Sequence, residues 1–241
     1  NLIGDFSSYN CFFTAKPNSR CLSFQDDTDN FKGPDGNLLC YKTSKFKELT
    51  RKNIDLPNDG RHGRQVDEIN LLVSSILIQT SLGIFDSQLE YIPFSFPLVF
   101  IGTHFKAKKQ FASSRINQAI AIRDYVENEY PKNATIILAG DFNGEPDEPF
   151  YKILTDVNLI SSYRHLMNNH EPPTRHGNSN LENRIKEESR TIDYIFYRSN
   201  RLNPIAYLDI PSKAAIGPNG LPCAIYPSDH LALQSIFLIH K

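Results

Sequence analysis

Four apolar segments of the chain carry acids, amides or histidines at one end, and this feature constrains the fold most. The segments are GTHFKAK (102–108), AGDFNGEP (139–146), TIDYIFY (191–197) and PSDHLAL (227–233). A charged side chain beside an apolar strand costs free energy unless a partner group compensates for it. We therefore predict that the four segments meet at one edge of a sheet and form a single polar site.

Strands dominate the pattern along the chain. The apolar runs LLVSSILI and PFSFPLVFIG predict buried strands. The spacing over 114–130 predicts a helix with Ser113 or Ser114 as its N-cap, and 148–156 predicts a short one. Because strands and helices do not alternate regularly, a doubly wound parallel sheet is disfavoured. The pattern favours an α/β fold in which two mixed β-sheets pack together with helices outside.

Two polar stretches are predicted to be loops. They are TRKNIDLPNDGRHGRQVDE (50–68), interpreted as a loop or insertion, and NNHEPPTRHGNSNLENRIKEESR (168–190). The 241 residues suit one domain over 1–241. No apolar run reaches the roughly 18 residues of a membrane helix. The oligomeric state has no signature in the sequence.

Charge and cysteine content narrow the function classes. The net charge of −1 provides no basic field for long nucleic acid, whereas small phosphorylated substrates remain compatible. The four cysteines show neither CxxC nor zinc-like spacing. We therefore expect reduced thiols and a reducing compartment.

The polar groups suit hydrolysis of phosphate esters by a carboxylate-held metal. Asp229 can hold a hard cation such as Mg²⁺, which binds phosphate oxygens. Asp141 can orient and deprotonate the attacking water, and Asn143 can donate hydrogen bonds to charge on phosphorus. The structural alternative for Asp141 and Asn143 is an Asx turn that closes a strand.

A histidine and two lysines extend this chemistry. His230 can stabilise the phosphate or donate a proton if Asp193 holds its ring, although a surface histidine is the alternative. Lys106 and Lys108, predicted to project in the same direction from a strand, can bracket a phosphate. Their alternative is an exposed strand face.

The motifs GDFN, TIDYIF and SDH, in this order, resemble the endonuclease/exonuclease/phosphatase superfamily of Mg²⁺-dependent phosphodiesterases. KPNSRCL, GPDG, THFKAK, RINQA, GDFNGEPDEPFYK and IGPNGLPCAIYPSDHLAL are similar to its deadenylase-like branch, and within that branch to nocturnin-type members. The resemblance runs from about Phe13 to the C-terminus. It implies a four-layer α/β/β/α sandwich and a magnesium-dependent catalytic domain.

The resemblance also implies roles for individual residues. Asp141 corresponds to the base, Asn143 to a phosphate ligand, and Asp193 to the partner of His230. Asp229 corresponds to the metal-side aspartate. His104 corresponds to a residue near the scissile phosphate. Lys16, Lys106 and Lys108 correspond to basic residues that line the substrate pocket.

The implied reaction is removal of the 2′-phosphate of NADP(H), giving NAD(H). The alternative substrate is the 3′ end of poly(A) RNA, as in related deadenylases. A cytoplasmic location follows by default, with a mitochondrial form as the alternative, and no membrane partner is expected.

The sequence departs from the family pattern in three places. The family's N-terminal strands carry an asparagine and a QE glutamate that holds the metal, and we expect that glutamate upstream of Asn1, which makes the fold N-terminally incomplete. If the native chain lacks it, a non-catalytic binding module is the remaining alternative. The aromatic-containing, TW-like segment expected at EPP is missing, since the chain has no tryptophan and TRHGNSNLENRIK fills the space, and Lys108 stands where an arginine is usual.

Overall fold

The computed structural model describes residues 6–15, 36–57, 64–73, 76–77, 91–92, 96–181, 184–217, 220–224 and 226–240. Short 3-10 turns lie at Phe6–Ser8 and Lys109–Phe111. The helices within these ranges are α1 (Ala112–Glu129), α2 (Pro149–Thr155), α3 (Ser162–Leu166) and α4 (Lys213–Ile216). The strands are β1 (Tyr9–Ala15), β2 (Gly36–Lys42), β3 (Phe46–Leu56), β4 (Arg64–Val73), β5 (Ile76–Leu77), β6 (Tyr91–Ile92), β7 (Pro97–His104), β8 (Thr135–Asp141), β9 (Ile160–Ser161), β10 (Arg175–Leu181), β11 (Arg184–Arg190), β12 (Asp193–Arg198), β13 (Leu202–Tyr207) and β14 (Ser235–Ile239).

The largest sheet has six strands in the order β3-β4-β7-β8-β12-β9. β7 and β8 are parallel, and the other neighbours are antiparallel, so the sheet is mixed. Side chains of successive residues in β7 alternate between the two faces of the sheet. Val99 and Ile101 belong to the core that includes residues of α1 and α2, whereas Leu98 and Phe100 face the opposite layer.

The helix-side core is the larger of the two. Helix α1 begins after Phe111, whose side chain makes no capping bond, so the predicted serine caps are wrong. Ser113 and Ser114 instead lie in the first helical turn, and the predicted short helix is confirmed as α2. The fully buried side chains of this core include Ala119, Val126, Ile136, Leu138, Phe142, Phe150, Leu154 and Phe196.

Two separate two-stranded sheets cover the opposite face of the large sheet. The β1–β2 pair contributes Leu39 and Tyr41, and the β13–β14 pair contributes Leu202. Ile236 and Leu238 on β14 are 50% and 40% exposed, so no helix in the described ranges covers these two side chains. The expectation of packed mixed sheets with few helices is confirmed.

The polar stretch 50–68 is not a loop where the structure describes it. Residues 46–56 and 64–73 form an antiparallel pair at the edge of the large sheet, and 58–63 lie outside the described residues. Most side chains of β3 are exposed, so this strand needs few apolar residues. Its pairing with β4 uses backbone groups, which polar residues provide as well as apolar ones, so composition misled the prediction.

The polar stretch 168–190 also contains regular structure. β10 and β11 pair in antiparallel register from Arg175 with Arg190 to Leu181 with Arg184. The apolar run near the C-terminus shows the opposite deviation: less of it is strand than its composition suggests, because β14 begins only at Ser235. Leu231 is buried but lies before that strand.

Cys11 and Cys40 are disulfide-bonded between register partners of β1 and β2. The expectation that the cysteines are all reduced thiols is therefore wrong for this pair. Their spacing of 29 residues carries no recognisable signature, because only strand pairing brings them together. Cys223 is a free thiol, and Cys21 lies outside the described residues.

Candidate functional site

Three strand ends meet at one edge of the six-stranded sheet, called the site edge below. β7 ends at His104 and the parallel strand β8 ends at Asp141, and these two residues are register partners. β12 runs antiparallel to β8 and begins at Asp193, which pairs in register with Asp141. Parallel strands place their carboxyl ends together, and an antiparallel neighbour adds its amino end. The predicted meeting of strand ends is thus present for these three segments.

Asn143 fixes the carboxylate of Asp141. Its backbone N–H donates to Asp141 Oδ1 at 2.8 Å, and its Nδ2 donates to Asp141 Oδ2 at 3.0 Å. Nδ2 also donates to the carbonyl of Phe105 at 3.1 Å. Asn143 adopts φ 52°, a conformation that asparagine tolerates well. The Asx turn and the polar site are therefore the same feature, and the amide as a phosphate donor stays a prediction.

His104 contacts the same carboxylate from the neighbouring strand. Its Nε2 lies 3.4 Å from Asp141 Oδ2, and its side chain is 42% exposed. An imidazole at this position can meet both the carboxylate and a molecule approaching from solvent.

Asp193 holds the ring of His230. The two carboxylate oxygens lie 3.1 and 3.0 Å from His230 Nδ1. This hydrogen bond raises the pKa of His230, partial burial opposes the shift, and the nearby charges of Asp193, Asp141 and Asp229 add to it. All three acids therefore act on one imidazole, which favours its charged form near neutral pH.

Thr174 completes this arrangement and was not identified from the sequence. Its hydroxyl donates to Asp193 Oδ2 at 2.7 Å and accepts from the N–H groups of Ile192 and Asp193. Leu231 N–H in turn donates to the carbonyl of Thr174 at 2.7 Å. Thr174 thus connects the start of β12 with the segment that carries His230. It lies in the stretch interpreted as a loop, so only composition was available to judge it.

Asp229 forms an ion pair with Arg175. Arg175 Nε and Nη2 both lie 2.8 Å from Asp229 Oδ2. The backbones of Arg175 and His230 form an antiparallel bridge beside this pair. Asp229 as the metal ligand stays a prediction, since its carboxylate is engaged with a guanidinium here.

This geometry agrees with the comparison to known proteins. A model of the endonuclease/exonuclease/phosphatase family matches residues 5–230. The chain belongs to this family.

Several members of the family are similar to this chain. Nocturnin from Xenopus laevis is 31% identical over 237 residues, covering 97% of this chain and 55% of the relative. A probable CCR4-Not complex 3′-5′-exoribonuclease subunit Ccr4 from Enterocytozoon bieneusi is 26% identical over 89% of this chain and 47% of its own length. The chain thus spans about half the length of these relatives.

A solved structure of the human Nocturnin catalytic domain with bound sulfate anion shares the fold. It superposes with a TM-score of 0.67 at 26% identity, covering 97% of this chain and 73% of that chain. The resemblance to the nocturnin-type branch of the family is therefore confirmed.

The structure describes two of the three lysines that were predicted to bind substrate, and it places both differently from expectation. β7 ends at His104, so Lys106 and Lys108 lie in the following loop and not on a strand. Lys106 Nζ lies over the ring of Phe111 at 4.7 Å, and Lys108 adopts φ 77°. Lys16 lies outside the described residues. Substrate binding by these lysines stays a prediction.

The buried side chain of Arg115 on α1 holds this loop in its conformation. Its side chain is 1% exposed and pairs with Glu148 at 2.7 Å. Its Nη1 donates to the carbonyls of Lys106 and Lys108 at 3.0 and 2.9 Å. The sequence feature that could have identified Arg115 is a charged residue on the buried face of a predicted helix, because Arg115 shares that face with Ala119. A buried arginine requires such partners.

Asp141 and Asp193, which cluster with His230, could hold a divalent cation through their carboxylates. One potential ligand atom from each of the three residues lies within 4.8 Å of the others. Mg²⁺ binds through one or two carboxylates and keeps several waters. Each carboxylate accepts bonds at about four positions, so both retain capacity beside their present partners. The donor set therefore fits a hard cation coordinated partly by water.

An apolar cavity of about 680 Å³ opens next to the site edge. Asp141 and Asp193 lie on its wall. Its other lining includes side chains of both sheet layers, namely Tyr41, Leu98, Phe100, Ile137, Leu231 and Phe237. Apolar surroundings strengthen charge interactions at the carboxylates compared with water. No helix among the described residues is long and apolar enough to cross a bilayer.

Proposed function

We propose that the protein is a metal-dependent hydrolase of phosphate esters that removes the 2′-phosphate of NADP(H). The observation that carries the proposal is the Asp193–His230 pair beside Asp141, with heavy atoms of the pair 3.0 Å apart. Hydrolysis of a phosphate ester needs a group that activates water and one that stabilises developing negative charge. The site edge supplies a carboxylate and an acid-held imidazole for these roles.

Asp141 is the proposed base. Asn143, in the turn after β8, and His104, at the end of β7, contact its carboxylate from two sides, which fixes the direction in which it can accept a proton from water. Its position on the cavity wall leaves it in a site with apolar surroundings. Asp141 then orients the water and takes its proton as the water oxygen bonds to phosphorus.

His230 is the proposed charge stabiliser and proton donor. Asp193 fixes the tautomer of its ring, because the carboxylate accepts at Nδ1 and leaves Nε2 for the substrate. The raised pKa of His230 keeps the ring protonated in a larger fraction of molecules at neutral pH. The proton goes to the leaving oxygen as its bond to phosphorus breaks. A bound Mg²⁺ near Asp141 and Asp193 would supply positive charge for the phosphate oxygens.

The substrate is proposed on two considerations. The net charge of −1 gives no overall basic field for a long strand, which favours a compact phosphate. The similarity to nocturnin points to the 2′-phosphate of NADP(H). The second candidate, shortening of poly(A) from its 3′ end, is favoured by the similarity to a 3′-5′-exoribonuclease subunit.

Purified protein incubated with Mg²⁺ and either NADP or oligo(A) separates these candidates. Release of inorganic phosphate from NADP, with NAD as the other product, is the expected result. Rapid shortening of oligo(A) with untouched NADP would support the second candidate. Loss of both activities in Asp141→Asn, with unchanged folding, would link either reaction to the site edge. No turnover of either compound would favour a binding module.

The cytoplasm remains the proposed compartment, by default and by resemblance only. The Cys11–Cys40 disulfide removes the argument from reduced cysteines.

A further inference from the structure

Arg175 places a positively charged side chain close to the site edge. Its backbone pairs with that of His230, and its guanidinium binds the carboxylate of Asp229. Asp229 immediately precedes His230 in the chain. The guanidinium therefore binds the carboxylate next to the imidazole proposed to meet the substrate phosphate.

The guanidinium has a defined orientation. A Cβ on Gly177 would lie 3.0 Å from Arg175 Nη2 and 3.3 Å from its Cζ, so the guanidinium occupies space that a larger residue would restrict. Asp229 Oδ2 fixes it from one side through Nε and Nη2. A guanidinium has five N–H donors, and this contact uses two of them.

Exposure distinguishes Arg175 from the arginines that serve the core. The side chains of Arg115, Arg190 and Arg198 are 1%, 13% and 4% exposed, and each pairs with a glutamate. Arg175 is 26% exposed and its partner Asp229 is 37% exposed. A purely structural ion pair at that exposure contributes little to stability, whereas it can still meet a ligand.

The site edge carries several negative charges, so binding of an anion there requires a cation nearby. Asp141 and Asp193 pair in register, and Asp229 is the chain neighbour of His230, which contacts Asp193. Three carboxylates gathered in this way repel a phosphate dianion. Arginine matches two phosphate oxygens at once, which a lysine does not. A guanidinium beside His230 would balance the acids and bind the anion.

We propose that Arg175 binds the phosphoryl oxygens of a phosphomonoester substrate and that Asp229 serves to aim it. This inference rests on the proposed function and deepens it, because it identifies a dianionic phosphate as the group that the site selects. Asp229 thereby receives a role different from the predicted metal ligand. Arg175 is a binding residue here, and Asp229 is a positioning residue.

The test measures equilibrium binding of inorganic phosphate by calorimetry, without added metal. Arg175→Gln should weaken binding by about tenfold or more, the scale of a lost charged hydrogen bond. Asp229→Asn should weaken it less, and the double variant should equal Arg175→Gln, because an arginine that is absent cannot be aimed. Arg123→Gln is the matched control, since Arg123 forms an exposed pair with Asp124 on α1. It should bind phosphate like the wild type.

Binding of Mn²⁺ is a second measurement, and it does not depend on catalytic activity. If Asp229 aims Arg175, Asp229→Asn should leave Mn²⁺ affinity within about twofold, well below the tenfold that 1.4 kcal/mol represents. A large loss of Mn²⁺ affinity would restore Asp229 as a metal ligand and overturn its positioning role. Phosphate binding that ignores Arg175→Gln, or that falls much further in the double variant, would overturn the proposal for both residues.

The two proposals can fail separately. If hydrolysis of NADP or oligo(A) is observed while phosphate binding ignores Arg175, only the inference about Arg175 is wrong. If phosphate binding depends on Arg175 but neither compound is hydrolysed, the proposed function is wrong and the anion site stands. Thermal unfolding of each variant identifies any that fail to fold, and Arg175→Lys then provides a milder substitution with a smaller expected loss.

Discussion

Replacing Thr174 with valine tests whether the site depends on the residue that joins its two halves. Valine keeps the shape of the side chain and removes the hydroxyl. Three hydrogen bonds disappear: the one to Asp193 Oδ2 and those from the N–H groups of Ile192 and Asp193. Thr174 is 1% exposed, so water cannot readily replace the hydroxyl.

The expected loss of stability follows from these contacts. Each buried donor left without a partner costs about 1–3 kcal/mol, and the N–H of Ile192 is fully buried. The Asp193 N–H is partly buried and recovers some hydration. We therefore expect the free energy of unfolding to fall by about 2–4 kcal/mol. Thr174→Ser keeps the hydroxyl and should lose about 1 kcal/mol or less, for one methyl group.

The effect on catalysis should accompany the effect on stability. Asp193 loses one of its two side-chain partners, and the His230 ring then has a less certain orientation. Loss of such a supporting bond typically lowers activity by about 10-fold to 100-fold. Urea unfolding and the rate of phosphate release measure the two effects. If Thr174→Val unfolds within about 0.5 kcal/mol of the wild type and keeps full activity, the proposed role of Thr174 is refuted.

The remaining predictions concern the same site and its support. His230→Ala should lower kcat by about 100-fold or more, and Asp193→Asn should lose much of that factor. The double variant should be little worse than the worse single, and additive losses would show that the two residues act independently. In NMR titrations with EDTA, Asp193→Asn should lower the pKa of His230, because the hydrogen bond to Asp193 is the largest cause that raises it. With that pKa raised on folding, the pair should stabilise the protein fully below about pH 6.5, and this contribution should decrease as the pH rises through the folded pKa; an unshifted ring would contradict the contact. Arg115→Met should raise KM more than it lowers kcat while Glu148→Gln does so less, provided that the loop at Lys106 and Lys108 binds substrate; an unchanged KM in folded protein would exclude that role. EDTA should abolish phosphate release and Mg²⁺ should restore it, whereas activity in EDTA would exclude a metal requirement.

The meeting of strand ends could be predicted because it depends on local patterns. An apolar run followed by a polar residue marks both a strand and its end, as at His104 and Asp141. The strand Asp193–Arg198 carries the same information at its beginning. Three such marks are sufficient to anticipate a shared edge, although the register that pairs Asp141 with both neighbours required the structure.

Regular structure formed by mostly polar residues could not be predicted in the same way. β3 and the hairpin of β10 and β11 carry mostly polar residues, so hydrophobic periodicity is absent. Their hydrogen bonds come from the backbone, which every sequence provides. The disulfide between Cys11 and Cys40 is similar, because it depends on which strands pair.

Contacts between distant charged residues were the least predictable part of the site. Arg175 and Asp229 are 54 positions apart, and each has many possible partners of opposite charge in a chain with 26 basic and 27 acidic residues. Backbone pairing decides between them: the Arg175–His230 bridge and the His176–Asp229 hydrogen bond bring the two segments side by side. The side chains then meet because they project from adjacent backbones. The hairpin that could not be recognised from composition therefore determines that Arg175 pairs with Asp229, the residue before His230.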